Sequence, residues 1–175
     1  VDAILRAIDR PNGPTRDRAR QWIEWRQFGE KGDPAEVDRL VIGLRQRNQT
    51  PNETALWLLE ALNKLVPEDL LAAIGDARPE VRAMGIRLSE KFVAASPAVQ
   101  AAWLARRDDD DANAVLQIAC SLGEWSDSRV GERLAKLAMA HAGDPYLVAG
   151  VFSSVNASNL TPFTKSLFDE LAGRE

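Results

Sequence analysis

An interval of 33 residues constrains this chain more than any other feature. Leu71, Leu104 and Leu137 follow one another at that spacing, as do Val81, Ala114 and Leu147, and again Ser89, Leu122 and Val155. A period of this size is the signature of an array of repeated supersecondary units. Between Pro67 and Val155 each unit reads as two short amphipathic segments with a polar break between them. Neither segment can bury its apolar stripe alone, so stacking of neighbouring units has to supply a continuous core. The expected fold is all-α: a superhelix of antiparallel helix pairs forming one domain over 1–175, with its clearest repeats at 67–95, 97–125 and 128–157.

Proline punctuates the chain in the same sense. Asp33-Pro34, Thr50-Pro51, Ser96-Pro97, Asp144-Pro145 and Thr161-Pro162 each put a capping side chain before proline. Proline suits the first helical position, where its missing N–H has no partner to lose. Thr50-Pro51-Asn52-Glu53 matches a capping box, and Asp33-Pro34-Ala35-Glu36 resembles one. These signals predict helices near 34–46, 51–64, 67–75, 78–94, 97–107, 111–124, 128–141, 145–156 and 162–173. Upstream, Val1 to Asp9 has helical apolar spacing and ends at the breaker run Arg10-Pro11-Asn12-Gly13-Pro14. A second helix is expected to start at Thr15 as N-cap, to carry Ala19, Trp22, Ile23 and Arg26 along one side, and to stop at Gly29 to Gly32. No segment alternates polar and apolar residues with period 2, so no sheet is expected. Gly85, Ala119 and Gly150 fall inside the second helices of their pairs, where close helix packing would compensate a glycine's low helix propensity.

Asp76-Ala77-Arg78-Pro79-Glu80-Val81-Arg82 resembles the turn and second-helix start of a HEAT repeat. In that family an aspartate and an arginine commonly stitch one unit to the next. The later units depart from it, with Ala114-Val115 and Leu147-Val148 where Val81-Arg82 stand. A resemblance over nearly the whole chain runs through Pro11-Asn12-Gly13, Arg16 to Arg20, Thr54 to Trp57, Pro67 to Leu71, Ser121-Leu122-Gly123-Glu124-Trp125 with Asp127 and Arg129, Asp144-Pro145-Tyr146 and Val151 to Val155. In this order and spacing these residues are similar to the HEAT-repeat segment of large planctomycete-type membrane-bound dehydrogenases. There the segment lies between a sorbosone/glucose-dehydrogenase-like β-propeller and a c-type cytochrome domain. The resemblance implies an extracytoplasmic multidomain redox protein in which this segment is a connector and docking surface for neighbouring domains, with no catalytic residues or cofactor of its own.

Charge and cysteine content exclude several functions. With 26 acidic against 22 basic residues the net charge is −4, whereas a nucleic-acid footprint requires a basic stripe. That balance disfavours the rival reading, a HEAT-like DNA-repair glycosylase, whose affinity would come mainly from phosphate neutralisation. The single cysteine, Cys120, leaves no internal disulfide and no Cys-x-x-Cys metal or haem motif. No apolar run approaches the ~20 residues that span a bilayer. The chain opens at Val1 with neither initiator Met nor signal sequence and reads as a segment of something longer.

Four groups could carry chemistry. Asp108 to Asp111 is oxygen-rich, but it lacks the glycine and downstream glutamate of an EF-hand loop. Its place between two helices makes Asp110 or Asp111 the N-cap of the second. His141 sits in the last turn of its helix with only Asp144 near in sequence. Cys120 is expected to be a buried or half-buried small hydrophobe. Among the tryptophans, Trp57 and Trp103 fall on apolar stripes and are expected in the core, whereas Trp25 and Trp125 fall off them and are expected on the surface. A groove lined by second helices is the usual binding face of a solenoid. The candidate interaction surface is therefore Trp25, Glu60, Arg82, Glu90, Gln117, Glu124 and Trp125, with Asn63 among the polar neighbours. The sequence points to a non-enzymatic scaffold.

Overall fold

The computed structural model describes residues 1–9, 13–28, 33–48, 51–106 and 109–173, with the side chains of residues 16, 22 and 24–28 outside that description. Among the described residues there are eleven α-helices and no strand. They are α1 (Asp2–Ile8), α2 (Gly13–Phe28), α3 (Pro34–Arg47), α4 (Glu53–Ala61), α5 (Pro67–Ile74), α6 (Pro79–Val93), α7 (Pro97–Ala105), α8 (Ala112–Ser121), α9 (Ser128–Ala140), α10 (Pro145–Ser154) and α11 (Leu160–Ala172); a single 3₁₀ turn, Leu122–Glu124, follows α8. The chain divides into two compact units, Val1–Ala72 and Ala73–Glu175.

Most helix starts follow from the residue in front of them. Asp33 accepts from the Ala35 amide, Ser96 from Val99, Asp111 from Asn113 and Ala114, and Asp144 from Tyr146 and Leu147. Each carboxylate or hydroxyl satisfies amides that have no partner inside the helix. Three expected starts are displaced. α2 begins at Gly13, which places Thr15 inside its first turn. α4 begins at Glu53 with Asn52 as cap, its Oδ1 accepting from the Ala55 amide at 3.0 Å; Thr50 lies outside the described residues. α11 begins at Leu160, ahead of Thr161-Pro162, and Asn159 turns its side chain back to Ser154 and Asn156 instead of capping.

In the first unit α1 packs on α2 and α3, and α4 on α2 and α3. Leu5, Ile8, Ile23, Leu44, Leu56 and Leu59 form its buried centre. Helix α4, expected to reach residue 64, stops at Ala61 because Asn63 adopts φ of 51°. Asn63 N–H donates to Glu60 O at 2.8 Å and Lys64 N–H to Leu59 O at 2.9 Å. This is the paired-bond ending in which a left-handed residue, often glycine or asparagine, satisfies the last carbonyls.

In the second unit α6 packs on α7 and α8, α8 on α10, α10 on α9, and α9 on α11. The second helices α6, α8 and α10 begin at residues 79, 112 and 145, an interval of 33 residues each time. Their third positions, Val81, Ala114 and Leu147, are all buried. Register is looser in the first helices, where Leu137 is buried but Leu71 and Leu104 are half-buried. Trp103 takes the core position instead and donates its indole N–H to Ser89 Oγ at 2.8 Å. Two glycines permit close approach. A Cβ on Gly85 would lie 2.8 Å from the Ile74 amide nitrogen, and one on Gly150 2.8 Å from Leu116 Cδ1.

Candidate functional site

The expected surface residue Arg82 is an internal clasp, 5% exposed. It stands at the second-helix position filled by Val115 and Val148 in the next two units, so its guanidinium points where those units carry a hydrophobe. Its Nε and Nη2 grip Asp109 in a two-point pair, both at 2.7 Å. Nη2 also reaches Asp110 at 3.3 Å, and Nη1 donates to the Asp76 and Ala77 carbonyls at 3.0 and 2.8 Å. All five guanidinium N–H donors are thereby engaged. Burial pushes the Asp109 carboxyl up, but hydrogen bonds from Arg82 and the Asp111 amide outweigh it and hold the group below the usual aspartate range. The bond to Asp109 raises Arg82 in turn. Of the aspartate run, then, Asp109 pairs with Arg82 and Asp111 caps α8; Asp108 lies outside the described residues.

Glu90 and Gln117, separate candidates in the sequence, meet at one serine. Ser121 donates to Glu90 Oε1 at 2.5 Å and accepts from Gln117 Nε2 at 2.8 Å. The result is a half-buried polar tie between α6 and α8. Glu124 is exposed in the 3₁₀ turn, and Glu60 lies half-buried on α4 in the first unit.

Trp125, expected on the surface, is 4% exposed. The 3₁₀ turn after α8 brings it back in extended conformation, and the Arg129 guanidinium covers its ring at 4.9 Å from the centroid. A cation over an indole face is attracted by the negative charge of the ring's π face. Asp127 fixes that arginine through bonds of 2.8 Å to Nε and Nη2 while capping α9. Hydrogen bonding from Arg129 holds Asp127 below the usual range, just as Arg78 does for Asp76. The side chain of Trp25 lies outside the described residues. Trp57 is half-buried where a core position was expected, and Cys120, expected to be at least half-buried, is exposed at the edge of the α8–α10 contact, where a Cβ on Gly150 would lie 3.3 Å from its Sγ. His141 is the C-cap of α9.

Two surface features lie outside the candidates drawn from the sequence. One is a groove of about 730 Å³ between α9 and α11, walled by Glu132, Lys136, Lys165, Asp169 and Glu170. The other is apolar: Tyr146, Phe152, Leu160, Phe168 and Leu171 on α10 and α11 are all exposed. For the second, Leu160, Phe163, Leu167, Phe168 and Leu171 mark an apolar side of α11 in the sequence, but their spacing does not show whether a neighbour covers it.

Chemically, the groups brought together are ion pairs, caps and serine-centred hydrogen bonds, which hold helices in register. Among the described residues no group of three or more His, Cys, Asp or Glu side chains is arranged to hold a metal ion. No described helix is long and apolar enough to cross a membrane. Comparison with protein-family models, with curated proteins and with solved structures finds no match for this chain.

Proposed function

We propose that this chain is a non-catalytic HEAT-like α-solenoid segment that serves as a scaffold and docking module within a larger extracytoplasmic redox protein. The observation that carries the reading is the strict 33-residue step of α6, α8 and α10, with the buried positions Val81, Ala114 and Leu147 repeating at the same step. Equal steps between side-by-side helices are what a repeat array requires. The Arg82–Asp109 pair supports it further. It joins the turn before α6 to the loop before α8, which is the unit-to-unit stitching that the Asp76 to Arg82 motif resembles. The likeness of Ser121 to Trp125, with Asp127 and Arg129, to the connector segment of planctomycete-type membrane-bound dehydrogenases supplies the proposed context. In that context the partners are the neighbouring β-propeller and c-type cytochrome domains.

The test is capture of those domains, expressed separately, by this chain as immobilised bait. Retention of either domain at moderate salt is expected. Failure to retain either one, or turnover of a sugar substrate by the isolated chain, would overturn the reading.

A further inference from the structure

We draw no further inference here: the strongest candidate, the groove between α9 and α11, sets Glu132, Asp169 and Glu170 against Lys136 and Lys165, so its walls favour neither an anion nor a cation and nothing in the structure shows what would occupy it.

Discussion

Arg82 shows how one residue decides between surface and interior. Removing one partner of a buried pair strands the other charge, so Arg82→Ala should cost about 3–5 kcal/mol in a urea titration. Replacing both partners with apolar residues, Arg82→Met with Asp109→Leu, should recover most of that loss. The pair also sets an acid limb. Asp109 titrates lower in the folded chain than in the unfolded one, where a carboxyl has a pKa near ~3.9. Its contribution is therefore present above about pH 4 and disappears as pH falls through the folded value. Asp109→Asn should flatten that limb when stability is compared between neutral and acidic pH. The sequence holds a clue to this pair. An arginine in a register position where the next units carry Val115 and Val148 is a buried arginine in need of a carboxylate, but nothing local shows that the carboxylate lies 27 residues downstream. Trp125 is hidden for a similar reason. Its burial depends on a 3₁₀ turn and on Arg129, neither of which leaves a helical periodicity to read.

At the scale of elements the helices are largely legible in the sequence, because cap and proline chemistry acts within three or four residues. Asp33, Ser96, Asp111, Asp127 and Asp144 all cap the helices they precede. Where two candidates compete, the preceding helix end chooses: Asn52 is held by Asn48, whose Oδ1 accepts its amide N–H at 3.1 Å, and the cap falls there. How closely two helices meet is less visible. A Cβ on Gly131 of α9 would lie 2.7 Å from the Phe163 amide nitrogen and 2.7 Å from Pro162 Cγ of α11. Backbone cannot swing aside, so Gly131→Ala should cost about 1–3 kcal/mol despite alanine's better helix propensity. Gly143 has open space around it and no positive φ. Gly143→Ala should leave stability unchanged or raise it by ~0.4–1 kcal/mol. A pair of thermal melts separates the two outcomes.

At the scale of the whole molecule the 33-residue step is legible from the amino-acid order alone, since it needs only equal spacing of apolar positions. The exposed α10–α11 face is not, because periodicity reveals that a helix has an apolar side but not whether anything covers it. Burial is unequal along the second unit: α6 holds seven buried residues and α9 six, whereas α11 holds only Phe163. Local opening follows buried contact, so amides of α6 and α9 should exchange most slowly and those in the last turns of α11 fastest in hydrogen-exchange mass spectrometry. Uniform protection along the unit would contradict this. The Arg82–Asp109 clasp has one more consequence, topological in kind. It joins residues 27 positions apart into a ring that contains the whole of α7, and closing a ring removes chain entropy that grows only slowly with its size. Inside that ring Trp103 is fastened to Ser89. A cut at the exposed turn between α6 and α7 would therefore leave both severed ends tethered, so the two fragments would behave as one laced body instead of separating like loose thread.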